Sequence, residues 1–133
     1  MSDLFEKLGP WAELTGRILI ALIFITAGYG KIGGYEGTQA YMAAMGVPGA
    51  LLPLVIATEL GGGLLIAFGL FTRYTAFALA GFTILSAILF HGNFGDQMQQ
   101  IMFMKNLAIA GGFLFLVVHG AGTISLDRRF NRS

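Results

Sequence analysis

Residues 51–73 read LLPLVIATELGGGLLIAFGLFTR, an apolar run long enough to cross a bilayer with one carboxylate inside it. At about 1.5 Å per residue, Glu59 lies roughly 12 Å in from Leu51, well within a hydrocarbon core of about 30 Å. An isolated carboxylate at that depth costs about 3 kcal/mol on insertion scales, so the fold must give Glu59 a partner or a proton. Helical spacing puts Gly62 and Gly63 on the Glu59 face, with Val55, Ile56 and Ile66 around them. Two missing side chains beside a buried acid make a close-packing face, or leave room for a ligand.

Three further runs of the same kind flank it. Residues 11–30, with the apolar core RILIALIFITAGYG at 17–30, predict a first span, with Trp11 as an interfacial anchor and Arg17 snorkelling outward. A cleaved signal peptide is the alternative there, but the acid-containing leader and the weak small-residue site in ITAGYG argue against it. Residues 31–50 are broken by glycines and polar groups and predict an extramembrane loop with a short interfacial helix over residues 38–45. The second span starts at Leu51 or Pro53, proline being tolerated in a first turn. A tight turn at Arg73 leads to a third span over residues 74–90, so spans two and three form an antiparallel hairpin. A polar loop at 91–100 precedes a fourth span at 101–118, and a basic, glycine-broken tail follows His119.

Only 11% of the 133 residues are charged, against about 25% in a soluble domain. The chain therefore reads as an all-α integral membrane four-helix bundle, with residues 1–133 as one four-span domain and the lipid bilayer as its first partner. With the N-terminus inside, Lys7, Arg17, Arg73, Arg128, Arg129 and Arg132 fall on the cytoplasmic side and only Lys31 and Lys105 towards the other, which predicts both termini in the cytoplasm. A net charge of +1 without a basic stripe excludes nucleic-acid binding as a reading. Absence of cysteine excludes thiol chemistry, Cys-type zinc and iron–sulfur ligation within the chain.

Alternating spans bring four titratable residues to the outer half: Lys31, Glu59, His91 and Lys105, with Asn106 beside the last. Lys105 is the expected counter-ion of Glu59, since both lie below the interface, while Lys31 and His91 sit at the mouth. The bland alternative is that Lys31 snorkels, His91 is solvated, and Glu59 and Lys105 form a packing ion pair. His91 and His119 fall at opposite membrane faces, which argues against one haem held between them, and His91, Glu59 and Asp96 make too poor a ligand set to predict a metal site. Phe24, Phe68, Phe82, Phe113 and Phe115 read as packing or lipid-facing residues. Met98, Met102 and Met104 read as flexible packing, and Tyr29, Tyr35 and Tyr41 as an outer aromatic belt.

Several short motifs recur in one order across the spans: Arg17, AGYGKI ending at Lys31, Glu59-Leu60-Gly61-Gly62 followed by Gly69 and Thr72-Arg73, Lys105-Asn106, and His119-Gly120-x-Gly122-x-x-Ser125-Leu126-Asp127. In these the chain resembles the DoxX family of small bacterial inner-membrane proteins over nearly its whole length. The resemblance implies four helices in the cytoplasmic membrane and a connection to quinol oxidase, thiosulfate:quinone oxidation or other membrane oxidoreductase complexes. It supplies no reaction mechanism.

Two functions of different class follow. In one, the chain is a quinone- or redox-associated accessory subunit of a membrane oxidoreductase. Its outer-half cluster, between the glycine face of span two and span four, then holds a quinone head group; no cofactor within the chain is expected beyond such a bound quinone. In the other it is a non-catalytic scaffold whose glycine faces pack against a partner or a second copy. A transporter is disfavoured, because four short spans without discontinuous helices offer little alternating-access machinery. The topology has a direct test: a cysteine at Asn93 is expected to react with an impermeant thiol reagent in intact spheroplasts and one at Arg129 is not, and the reverse pattern would invert the orientation.

Overall fold

A computed structural model describes residues 2–130; Arg132, counted above among the inner basic residues, lies outside them. The described residues form helices and no strand. Among the described residues, four helices are long and apolar enough to cross a membrane. The first, α1, runs over Ser2–Gly33 and spans about 48 Å, so it outlasts the hydrocarbon layer and begins well before Trp11. A short α2, Tyr35–Ala44, follows the Gly33-Gly34 break, beginning three residues before and ending one residue before the interfacial helix expected there.

The second span, α3, covers Gly49–Phe68 and is not uniform. A 3-10 turn at Gly49–Leu51 leads into α-helix at Leu52–Ile56, where Pro53 occupies the first turn. A π-turn at Ala57–Gly61 is centred on Glu59, and α-helix resumes over Gly62–Phe68. The sequence pattern predicts an uninterrupted helix here; the inserted residue changes neither composition nor hydropathy, so nothing in the pattern betrays it. The third span, α4, is Thr72–Phe90 and the fourth, α5, Gln97–His119, begun by Asp96 accepting from the Met98 N–H at 3.0 Å. A last turn, α6, covers Leu126–Arg129, capped by Ser125.

Packing divides the bundle into two pairs, α1 with α3 and α4 with α5. Between α1 and α3 the backbones approach closely: a Cβ on Gly28 would meet the Leu60 backbone nitrogen at 2.8 Å, and one on Gly63 would meet Ile25 at 2.8 Å. The pairs meet in a core of Ala21, Phe24, Ile66, Ala76, Leu79, Ala80, Ala110 and Phe113, with the Phe24 and Phe113 rings 5.4 Å apart. Of the five phenylalanines read from sequence as packing or lipid-facing, Phe24 and Phe113 are core, while Phe68 and Phe115 are exposed to the surroundings.

The end of the bundle that holds both termini is locked by polar groups. Arg17 does not snorkel; it is 1% exposed. Its Nη1 donates to the carbonyls of Ile66 at 3.2 Å and Ala67 at 3.3 Å, which close the last turn of α3, and its Nη2 donates to the Ile124 carbonyl beyond α5. The last carbonyls of a helix have no intrahelical partner, and a buried cation there meets both that need and the helix dipole. Asp127 serves the neighbouring helix start in the same way: its carboxylate accepts from the backbone N–H of Phe71 at 2.7 Å and of Thr72 at 2.8 Å, and its own N–H donates to the Gly69 carbonyl at 2.8 Å.

Gly69 sits in the middle of this lock with φ +70°, where a Cβ would overlap the Arg17 guanidinium and Ser125. Gly69→Ala is expected to lower stability in mild detergent by upwards of about 1 kcal/mol, through strained φ and displacement of Arg17. Gly81→Ala, where an added Cβ meets nothing within 4 Å, serves as the control and should leave the melting temperature unchanged. Equal melting temperatures for the two variants would contradict this account of the terminal lock.

Candidate functional site

The distal half, away from the termini, contains a cavity of about 550 Å³. Its existence follows from how the pairs are joined. Arg17 and Asp127 hold α1, α3, α4 and the tail together at the terminal end, and Gly62 lets the Leu79 side chain of α4 close in on α3 at mid-depth. Further out, α3 leans on α1 rather than on α4, and the space between the pairs stays open. Across the top lies α2, pinned to the start of α3 by the Gln39 amide donating to the Gly49 carbonyl at 3.1 Å and to the end of α4 by the Tyr41 and Phe90 rings, 5.5 Å apart. Thr38, Tyr41 and Met42 of this helix line the cavity, so that Tyr41 stands in the pocket as well as in the outer aromatic belt that the sequence pattern predicts.

All five polar candidates from the sequence, Lys31, Glu59, His91, Lys105 and Asn106, line this one cavity. Gly62 and Gly63 do not. They serve as packing positions, Gly62 against Leu79 of α4 and Gly63 against Ile25 of α1, so the cavity does not lie between a glycine face and the fourth span as expected. The π-turn is the physical reason. In a continuous α-helix, residues 59, 62 and 63 share a face, whereas one extra residue in the turn lets Glu59 face the cavity while both glycines keep to helix contacts.

The partner of Glu59 is Lys31 and not Lys105. Lys31 Nζ stands 2.7 Å from Glu59 Oε1, and the Glu59 side chain is 9% exposed. Two local facts explain the reversal. First, α1 persists to Gly33, so Lys31 belongs to a helix, where side chains tilt back toward the N-terminus, here down into the membrane. Second, α1 and α3 lie in backbone contact at Gly28 and Leu60, which brings the end of α1 beside the π-turn.

Lys105, partly buried on α5, has no ion pair or hydrogen bond to the protein among the described residues. Asn106 is buried beside it and its Nδ2 donates to the Thr83 carbonyl at 3.3 Å, tying α5 to α4, while the Thr83 hydroxyl donates to the Leu79 carbonyl at 2.6 Å. His91, at the end of α4, is hydrogen-bonded through Nδ1 to the side-chain Oε1 of Gln99 on α5 at 2.9 Å. The cavity lining thus includes two ammonium groups, one carboxylate, a histidine and an amide. The rest of its wall is mostly apolar, with the hydroxyls of Thr38, Tyr41, Thr58, Thr83 and Ser86 among it. A few polar groups in a mostly apolar chamber suit a ligand with a small oxygen-bearing head and a hydrocarbon body.

Comparison with known proteins places these features in a family. The DoxX family model matches residues 12–92, which include Lys31, Glu59 and His91. The chain is 58% identical to the Inner membrane protein YqjF of Escherichia coli strain K12 over 96% of its own length and 98% of the relative's. It is 42% identical to the Inner membrane protein YphA of the same strain over 94% of each chain. Over 71% of this chain and 75% of the relative it is 31% identical to a Bacillus subtilis protein named "Putative oxidoreductase CatD". No solved structure matches it.

The ion pair has a stability signature. Lys31→Met leaves a buried carboxylate without its cation and is expected to cost about 3 kcal/mol, recovered in large part by adding Glu59→Gln, because breaking a buried pair costs more than removing both members. Lys105→Met, which breaks no pair, is expected to leave the detergent melting temperature nearly unchanged. Lys105→Met costing as much as Lys31→Met would show that the assignment of the pair is wrong.

Proposed function

The chain belongs to the DoxX family, and from that premise and the distal cavity we propose that it is a quinone- or redox-associated subunit of a membrane oxidoreductase system. It is a multi-pass inner-membrane protein, as the four apolar helices and the two E. coli relatives agree. The positive-inside count orients the cavity away from the cytoplasm. The observation that carries the proposal is the cavity itself: a chamber of about 550 Å³ within the spanning region, mostly apolar, lined by the Lys31–Glu59 pair and by the Lys105 ammonium, which has no protein partner among the described residues.

A quinone head group matches these polar groups chemically. Its carbonyl oxygens accept hydrogen bonds, which Lys105 offers as an ammonium and Asn106 through whatever its amide does not spend on Thr83. Reduction of a quinone takes up protons with the electrons, and the Glu59 carboxylate with Lys31 beside it is placed to hold and pass a proton at the head group. Electrons come from a partner oxidoreductase, because a cysteine-free chain offers no thiol or iron–sulfur carrier of its own. The relative named as an oxidoreductase supports this direction at the level of its name and no further.

One observation favours the alternative, a non-catalytic scaffold: Lys31 already satisfies Glu59, so the acid has a structural role without any ligand. The two readings separate by experiment. Mass spectrometry of small molecules extracted with the protein in mild detergent is expected to find a quinone. Lys105→Met is expected to weaken binding of a quinone analogue by about tenfold or more, the worth of one hydrogen bond to a charged donor. Glu59→Gln should keep the fold and impair proton-coupled use of the site. If Glu59→Gln and Lys105→Met proteins both bind quinone analogues as the unmodified protein does, the quinone reading is lost and the scaffold reading stands.

A further inference from the structure

The cavity is not sealed against the lipid. Leu51 and Leu54 from α3 and Leu85 and Leu89 from α4 line it, yet they are 44%, 63%, 54% and 39% exposed. A side chain that faces both a chamber and the surroundings stands in an opening. The opening lies where α3 and α4 diverge: their contact through Gly62 and Leu79 is at mid-depth, and α3 distal to it rests on α1. Between α1 and α5 the Phe24 and Phe113 rings, both buried, are in contact 5.4 Å apart. Over the top, the Tyr41–Phe90 contact lays α2 across the exit to water. A way out that the structure leaves is sideways between α3 and α4, through a slot walled by leucines.

The charge at the inner end of this path is unbalanced. Glu59 is matched by Lys31, so Lys105 faces the chamber as an ammonium that has no protein acceptor among the described residues. An unmatched ammonium in such a place calls for an oxygen acceptor from whatever fills the chamber. Leucine walls opening to lipid call for hydrocarbon. A single molecule that answers both has a small head at Lys105 and a chain running outward between α3 and α4.

We infer that the cavity is loaded from the bilayer by a single-tailed amphiphile, its head oxygen held by Lys105 and its tail lying in the slot between Leu51 and Leu54 on α3 and Leu85 and Leu89 on α4. This rests on the distal cavity being the ligand site, and not on the head being a quinone. The slot sets which members of a ligand class bind: those with a tail are retained, and tail-less analogues with the same head are not.

The test uses the full chain in phospholipid nanodiscs with two photoreactive probes that share one diazirine-bearing alkyl tail, a benzoquinone and a long-chain carboxylate. At least one probe is expected to label residues 51–58 and 82–89 saturably, and its tail-less analogue should compete about tenfold more weakly or worse. Leu85→Trp, or Leu54→Trp from the opposite wall should the first variant not fold, fills the slot. Either should cut labelling by the tailed probe severalfold while changing the tail-less competitor by no more than about twofold. Equal competition by tailed and tail-less molecules, labelling that does not saturate, or labelling confined to other helices would overturn the lateral slot. Saturable labelling by the carboxylate that decylquinone does not displace would keep the slot and remove the quinone reading. Displacement by tailed and tail-less quinones alike would do the opposite.

Discussion

A carboxylate inside hydrocarbon has to be neutralised within reach of its own side chain, and the way Glu59 meets this requirement organises the distal half of the protein. Its counter-charge, Lys31, comes from α1, and the same helix reaches the other end of α3 through Arg17, which closes the carbonyls of Ile66 and Ala67. Between these two polar ties the helices are in backbone contact at Gly28 against Leu60 and at Gly63 against Ile25. A slip of α1 along α3 by one turn, about 5.4 Å, would break the ion pair, uncover the carbonyls and drive side chains into the glycine positions together. The pair α1–α3 therefore has one register, specified by charges at its ends and by missing side chains in its middle.

The second pair, α4–α5, is held differently, by an extensive helix contact with a buried hydrogen bond from Asn106 to the Thr83 carbonyl and another between His91 and Gln99 at the distal end. What joins the two pairs is concentrated at the terminal end. There Arg17 also holds the Ile124 carbonyl, and Asp127 ties the last turn of the chain to the start of α4 and to Gly69. Two rigid pairs clamped at one end are free to stand apart at the other, so the cavity is a consequence of where the polar ties lie. Filling it with side chains would have required more bulk facing inward from α3 and α4; several of the residues that stand there are small, Thr58, Thr83 and Ser86, or are leucines that are themselves 39–63% exposed.

The four spans, their approximate limits and the gathering of five polar residues in one half were legible because they depend on hydropathy and alternation, both additive along a sequence. The identity of the Glu59 partner was not. Depth estimated by counting residues placed Lys31 at the surface and Lys105 level with Glu59. The outcome turned instead on the continuation of α1 to Gly33 and on the backward tilt of helical side chains. Arg17 escaped for another reason: its acceptors are backbone carbonyls, which every residue carries and no sequence pattern marks. The role of Asp127 was visible only as a motif in the tail, since the N–H groups it accepts from lie more than fifty residues away and become neighbours only when all four spans are in place.

The π-turn bears most directly on whether Glu59 is there for packing or for a ligand. A structural ion pair with Lys31 requires a carboxylate near the end of α1, and a regular helix can present one. A regular helix would also set Glu59 on the face of Gly62 and Gly63, the two residues that take the contacts with α4 and α1, and so bury it between helices. The extra residue separates the two tasks, leaving the glycines in the interfaces and turning the carboxylate to the cavity wall beside Lys31. A π-turn gives up regular helical hydrogen bonding and occurs mostly as a single local turn, frequently where a side chain must be presented to a site. Here it falls on the one acid within the four spans that lines the cavity, and its effect is to keep that acid accessible from a chamber the rest of the bundle leaves open. That placement weighs toward a carboxylate meant to meet a bound molecule.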